Sequence, residues 1–299
     1  MSYHEAVLPI ETIAGLQINP NGIYVDVTFG GGGHSKLILE QLDKGSLYAF
    51  DQDGDAQKNS IDDRRFVLIP QNFRYLKKFL RLEGVMQVDG ILADLGVSSH
   101  QFDTAHRGFS IRHSGHLDMR MNAQQKITAS HIVNHYELDQ LSMIFKQYGE
   151  LKNAYLLAKS IVKFRQEQEI KTTDDLINAV HSHVPPHKSN KILAQLFQAI
   201  RIEVNDELKA LKEMLIQAVE LLKTEGRLLV ISYHSLEDRL VKNLIKSGNF
   251  EGQIHKDFYG VPQLLLKTIN KKPIVPSQLE MDKNPRSRSA KLRISQKLA

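Results

Sequence analysis

Short apolar runs alternate with helical stripes through the first third of the chain. Residues 22–29 (GIYVDVTF) are rich in β-formers and run into four glycines. Residues 35–42 follow as a helix, with Leu37, Ile38 and Leu42 on one side. Residues 46–50 (SLYAF), 65–69 (RFVLI) and 88–95 (VDGILADL) read as three further strands. Between the last two, residues 72–82 carry Phe73, Leu76, Phe79 and Leu80 at helical spacing. Buried strands separated by amphipathic helices predict βαβ units and an α/β fold with a parallel sheet.

The alternation stops near Asp103. Residues 103–201 hold a polar loop followed by helical patterns only. Residues 151–169 place Leu156, Leu157, Ile161 and Phe164 at helical spacing, and residues 173–180 follow Thr172, a good N-cap before Asp174 and Asp175. Val184-Pro185-Pro186 breaks that helix, and residues 188–200 form another. This reads as a helical insertion of about 100 residues, within the size of a domain. The α/β pattern resumes with a helix over 207–222, a strand over 227–233, a helix over 236–245, and a closing pair of strands within 262–269 and 290–295. The chain thus divides into 1–102, 103–201 and 202–299, the outer pieces forming one sheet.

Composition narrows the class. The 299 residues are 41% hydrophobic and 24% charged, with no Cys, which excludes disulfide frameworks and thiolate metal sites. No run of about 18 apolar residues predicts a membrane span. Residues 1–11 lack a basic-then-apolar leader pattern, so the expected location is cytoplasmic. The net charge of +5 is uneven: residues 267–299 hold nine Lys and Arg against Glu280 and Asp282, a net of +7, while the rest nets −2. A basic segment of this kind suits a phosphate backbone.

The sharpest local signal is Asp26-Val-Thr-Phe-Gly30-Gly31-Gly32-Gly33-His34-Ser35, joining a predicted strand to a predicted helix. Glycines permit a tight turn and close approach of a ligand, and the helix N-terminus offers unpaired N–H groups. Asp51 ends the next strand, where an acid can hydrogen-bond ribose hydroxyls. Dinucleotides and S-adenosylmethionine both use this geometry. Ser35 departs from the dinucleotide fingerprint, and Asp26 supplies an acid for the ammonium of the methyl donor, which favours the methyl donor over NAD.

Two polar strand exits join this loop. Asp94 leads into Ser98, Ser99 and Gln101; Tyr233 and His234 follow the strand at 227–233, with Ser235 a candidate N-cap and Asp238 three residues on. Ligands of open α/β sheets bind at such carboxyl ends. Arg107, Arg112 and Arg120 suit phosphates, and Phe109 suits stacking on a base. His113 and His116 have no third ligand fixed by spacing, so no metal is expected. An NAD-linked oxidoreductase and a non-catalytic RNA-binding protein are the alternatives. The first fits Ser35 and Asp26 poorly, and the second leaves the converging strand exits without a purpose.

With these motifs in order, the sequence resembles the RsmH (MraW) family of bacterial ribosomal RNA methyltransferases. The resemblance is carried by His4-x-x-Val7-Leu8, DVTFGGGGHS, DQD from Asp51, ADLGVSSHQFD from Ala93, RGFS and LDMRM between Arg107 and Met121, FQAIRIEVNDEL from Phe197, ISYHSLEDRLVK from Ile231, and NPRSRSAKLR from Asn284. It implies a class I (Rossmann-like) methyltransferase sheet with a helical domain inserted after the fourth strand. It also implies S-adenosylmethionine-dependent methylation of the N4 amine of a 16S rRNA cytidine at the decoding centre. The small ribosomal subunit is the implied partner, and neither membrane nor metal is implied. By motif position, cofactor contacts fall on Gly32, Gly33, His34, Asp51, Phe73, Asp94 and Gln101. Asp94, Ser98, Ser99 and His234 are expected to hold the amine. Arg107, Phe109, Arg112, Arg120, Arg286 and Arg288 are expected to face RNA, within or beside the inserted helices. Ala6, Pro9, His100 and Tyr233 stand where many members carry Pro, Leu, Pro and Phe, and Gly31 where other residues also occur.

Overall fold

The computed structural model describes residues 6–299, so His4 of the N-terminal motif lies outside the described residues. The chain forms two compact units: residues up to Gly96 with Leu208–Ala299, and Val97–Glu207 between them in sequence. The second unit is thus wider at both ends than the 103–201 of the sequence pattern.

The first unit opens with α1 (Pro9–Leu16), β1 (Ile23–Asp26), α2 (Gly33–Gln41), β2 (Ser46–Phe50), β3 (Phe66–Ile69), α3 (Leu76–Leu82) and β4 (Val88–Asp94). The second unit holds α4 (Ser99–Asp103), α5 (Ala129–His135), α6 (Leu138–Gln147), α7 (Ala154–Glu167), α8 (Thr173–Val180) and α9 (Ser189–Asn205). The chain then returns through α10 (Glu207–Leu221), β5 (Leu222–Ser232), α11 (Ser235–Ser247), β6 (Leu266–Thr268), α12 (Gln278–Lys283) and β7 (Lys291–Lys297). The described strands form one seven-stranded sheet in the order β3-β2-β1-β4-β5-β7-β6. The first five strands are parallel, while β7 runs antiparallel to both β5 and β6. This is the α/β, Rossmann-like sheet expected from the pattern, and its direction of winding reverses between β1 and β4.

Both faces of the sheet are buried, which is why its strands read as apolar runs. Along β4, Ile91 and Ala93 enter one core with Leu76, Leu80, Leu215 and Val241. Leu92 enters the other, with Ile38, Leu39, Leu229 and Leu292. Leu92 is 0% exposed, and Leu92→Ala would cost about 2–5 kcal/mol through lost burial and the cavity left behind.

The second unit has its own core. Leu141, Ile144, Leu157, Ile161, Leu176, Leu196 and Ile200 pack together without solvent contact beyond 1%. Thr172 caps α8 as expected: its hydroxyl accepts from Asp175 N–H at 3.1 Å, and the Asp175 carboxylate accepts from Thr172 N–H at 2.9 Å. One stripe residue was misplaced by periodicity. Leu156 is exposed, and the buried face of α7 runs through Ala154, Leu157, Ala158 and Ile161.

The closing strands also form and pair, β6 inside 262–269 and β7 from Lys291 to Lys297. Lys291 pairs with Ser232 at the carboxyl end of β5, so the 3₁₀ turn Pro285–Ser289 stands at that edge of the sheet. Arg293 is buried and pairs with Asp238 at 2.7 Å. Part of the basic C-terminal segment is therefore an ordered strand.

Candidate active site

The turn between β1 and α2 is built on Asp26. Its carboxylate accepts from Thr28 N–H at 3.0 Å and from the Ser35 hydroxyl at 2.7 Å. The Thr28 hydroxyl also reaches Asp26, and its oxygen accepts from Asp94 N–H at 2.6 Å. Asp26 is 1% exposed, so it pegs the turn from inside and does not present a carboxylate to a ligand ammonium as the sequence suggested. Thr28, which no motif argument singled out, ties the glycine loop to the end of β4 across the point where the winding reverses.

The loop is shaped for close approach. Gly30 and Gly32 have φ of 52° and 76°, in the left-handed region that suits glycine. A Cβ on Gly30 or Gly31 would meet nothing within 4 Å, whereas one on Gly32 would lie 3.0 Å from the Phe29 ring. The loop is therefore open on the Gly30–Gly31 side and packed beneath Gly32. Gly33, His34 and Ser35 form the first turn of α2, whose backbone donors lack partners within the helix.

Asp51 clasps the same loop. One carboxylate oxygen accepts from Gly30 N–H and the other from Asp53 N–H, both at 2.8 Å. Each oxygen keeps a lone pair that can accept from a ribose hydroxyl. Burial, reinforced by the charges of Asp53 and Asp26, pushes the carboxyl up to about 6 against the two backbone donors. Phe73 opens the 3₁₀ turn after β3, beside Asn72, whose side chain donates to Gln52 at 2.8 Å. The open glycines, the Asp51 carboxylate and the Phe73 ring are groups that could hold S-adenosylmethionine.

Asp94 lies at the carboxyl end of β4. Tyr233 donates its hydroxyl to Asp94 Oδ1 at 2.7 Å, and His34 Nδ1 lies 3.6 Å from Oδ2. Burial pushes the Asp94 carboxyl up to about 6, with Asp26 and Glu237 adding to the rise and His34 and Tyr233 opposing it. The Tyr233 hydroxyl is pushed well above its ordinary value by burial and by the Asp94 carboxylate it faces.

His234 has a structural task that the sequence assigned to Ser235. His234 is the N-cap of α11, with Glu237 closing the capping box. Glu237 also accepts from Tyr233 N–H at 2.9 Å, which fixes the corner carrying Tyr233. The His234 ring is thus engaged with Glu237, with Nε2 3.2 Å from the Glu237 carboxylate.

Most candidate residues of the second unit are engaged within it. Ser98 and Gln101, expected at the amine and the cofactor, form the capping box of α4, with Gln101 4% exposed. Phe109 is 5% exposed inside the second unit's core, so it offers no face to a base. Arg107 is buried and donates to the carbonyls of Arg120 and Met121. Arg120 pairs with Asp118 at 2.7 Å and donates to the carbonyls of Ala123 and Gln125. These side chains hold the loop together because a long polar segment must satisfy its own carbonyls. Ser99 is half-buried, and Arg112 is exposed. In the first unit Arg286 and Arg288 are exposed, on the 3₁₀ turn at the carboxyl edge of the sheet.

The sheet and its carboxyl-edge site define a Rossmann-like methyltransferase that uses S-adenosylmethionine. The chain belongs to the MraW methylase family, which it matches over residues 1–298. It is similar to the ribosomal RNA small subunit methyltransferase H of Flavobacterium johnsoniae, at 56% identity over 299 residues covering 100% of this chain and 99% of that protein. The protein of the same name from Bacteroides thetaiotaomicron is 53% identical over 298 residues, covering 99% and 98%. Among solved structures, an rRNA methylase from Streptococcus thermophilus aligns at 13% identity and a TM-score of 0.43, covering 98% of this chain and 100% of that one.

Proposed function

We propose that this chain transfers a methyl group from S-adenosylmethionine to the exocyclic N4 amine of one cytidine in 16S rRNA, at the decoding centre. The observation that carries the reading is Asp94, a carboxylate held by Tyr233 at the carboxyl end of β4 in a chain whose near-full-length relatives bear the name small subunit methyltransferase.

A cytosine amine is a weak nucleophile, because its lone pair is delocalised into the ring. Bound S-adenosylmethionine supplies an electrophilic methyl group. The protein's task is to orient the amine and accept its N–H groups by hydrogen bonds. Asp94 does this through the carboxylate edge that Tyr233 leaves open. Asp51 would hold the ribose of the donor, the loop at Gly30–Gly33 would let it approach the backbone, and Phe73 would lie against its adenine. Ser99 and His234 remain candidates beside the amine, with Ser98 and Gln101 acting through the turn they cap.

The cytidine must leave its stack to reach this edge. Arg112, Arg286 and Arg288 would hold the surrounding strand by phosphate contacts. The inserted helices would recognise RNA, and the setting would be the cytoplasm. No helix among the described residues is long and apolar enough to cross a membrane.

The test is methyl transfer from labelled donor to isolated small subunits and to naked 16S RNA, followed by digestion to nucleosides. N4-methylcytidine from wild type and none from Asp94→Ala is the expected result. A methyl group on a different base, or on a ribose, would overturn the assignment. Normal turnover by Asp94→Ala with normal cofactor affinity would remove Asp94 from the reaction.

A further inference from the structure

His34 is buried at 6% exposure, with one ring nitrogen held by a backbone carbonyl and the other facing a carboxylate. Nε2 lies 2.9 Å from the carbonyl oxygen of Val7. A carbonyl only accepts, so Nε2 carries the proton and the neutral ring turns a bare Nδ1 toward Asp94 Oδ2, 3.6 Å away. Two bare acceptors at that distance repel each other, while one shared proton draws them together.

The N-terminal arm is built to keep this arrangement. Leu8 N–H donates to Glu280 at 2.8 Å, which anchors the segment to α12. Leu8 is fully buried with φ 51° and ψ 48°, a left-handed conformation that a bulky residue holds only under constraint. Val7 and Leu8 belong to the N-terminal motif, for which the cofactor loop and strand exits provide no use. Their geometry aims one ring nitrogen at one carboxylate.

We propose that His34, oriented by the Val7 carbonyl, is a positioning residue that shares with Asp94 the proton released when the amine is methylated. The inference rests on Asp94 facing the acceptor amine, as read above. When that nitrogen forms its bond to the methyl carbon, the carbon–sulfur bond of the donor breaks with its electron pair going to sulfur, and the nitrogen gains the positive charge the sulfonium loses. One N–H bond then breaks, its electron pair returns to nitrogen, and the proton passes to the Asp94 carboxylate. His34 Nδ1 takes or shares it, and the proton leaves to solvent before the next turnover. The ionisable groups around the pair are Asp26 from β1, Tyr233 and Glu237 from the corner between β5 and α11, and Glu280 from α12 beyond Tyr233. All are acidic, so a proton on His34 meets no neighbouring cation among them.

The test uses the full chain as wild type, His34→Gln and Asp94→Asn. Nitrogen NMR of the wild-type ring should show the Nε2–H tautomer, with an Nδ1 chemical shift that moves in Asp94→Asn. Methyl transfer to small subunits by His34→Gln should fall about tenfold to a hundredfold in kcat, with a displaced acid limb. Its KM for RNA should stay within twofold. An Nδ1–H tautomer, an Nδ1 chemical shift indifferent to Asp94→Asn, or an equal loss of rate at every pH would overturn the proposal. If wild type leaves small subunits unmethylated, the substrate assignment fails, and the NMR tautomer and its response to Asp94→Asn still decide the pairing.

Discussion

The Tyr233 hydroxyl and the Asp94 carboxylate, 139 residues apart, meet at 2.7 Å where β4 and β5 end side by side. The hydroxyl donates to the charged form of Asp94 and so opposes the burial that lifts the carboxyl to about 6. Tyr233→Phe removes that donor and leaves the ring. The Asp94 carboxyl should rise further, and the acid limb of kcat/KM should move to higher pH. A hydrogen bond to a charged group contributes about 1.5–3 kcal/mol, so the rate should fall about tenfold at pH 6 and less than threefold at pH 8. A pH profile of methyl transfer checks this; an unshifted limb would mean that Asp94 does not act as a carboxylate.

The glycine loop separates strain from space. Gly31 has ordinary φ and open surroundings, whereas Gly32 combines a φ of 76° with a ring 3.0 Å from any added Cβ. Gly31→Ala should leave the melting temperature of the free protein nearly unchanged. Gly32→Ala should cost about 1–2 kcal/mol from backbone strain and crowding. Thermal melts with and without ligand separate the two. Equal losses would mean that the loop reshapes on binding.

Much of the sheet was legible because both its faces are buried and its strands are short. The expected strand at 46–50 is the observed β2, and α8 spans the expected 173–180 behind its Thr172 cap. Helix α1 escaped notice, since Leu8 takes a left-handed turn that pattern reading does not anticipate. The cofactor loop and Asp51 were visible as residue types at suitable spacing. Their real relation, one carboxylate holding Gly30 N–H, is a tertiary contact across 21 residues. Arg107, Arg120 and Phe109 lie differently from expectation for one reason: sequence shows that a loop is polar, but not whether its side chains serve solvent or its own carbonyls.

Asp51 makes two opposite pH dependences. Its carboxyl, at about 6 in the fold against an ordinary 3.8, binds a proton more readily folded than unfolded. Its contribution to stability therefore rises as pH falls from about 6 toward 4, and is absent above 6. Asp94 titrates in the same range, so the useful quantity is the difference between wild type and Asp51→Asn in denaturant melts. That difference should shift toward wild type between pH 7 and pH 5. Cofactor affinity should run the other way, because the ionised form is the better acceptor for ribose hydroxyls. Calorimetry should show wild type weakening below pH 6, and Asp51→Asn weaker by about tenfold or more at pH 8. PH-independent binding by wild type would place the ribose elsewhere.

Arg107 and Arg112 sit five residues apart in one loop and should behave as different kinds of residue. Arg107 is 8% exposed and donates to two carbonyls, those of Arg120 and Met121. Arg107→Ala leaves both without that donor and should destabilise the second unit by about 2–4 kcal/mol, seen as an early melting phase. Arg112 is exposed, and Arg112→Ala should leave the melt unchanged. It should weaken RNA binding uniformly across sequences and lower the salt slope by about one. Arg288→Ala, from the exposed turn before β7, should follow Arg112. If Arg107→Ala instead melts like wild type and loses RNA affinity, the buried guanidinium must turn outward when RNA arrives. The loop would then be a switch, held closed by its own carbonyls until phosphates replace them.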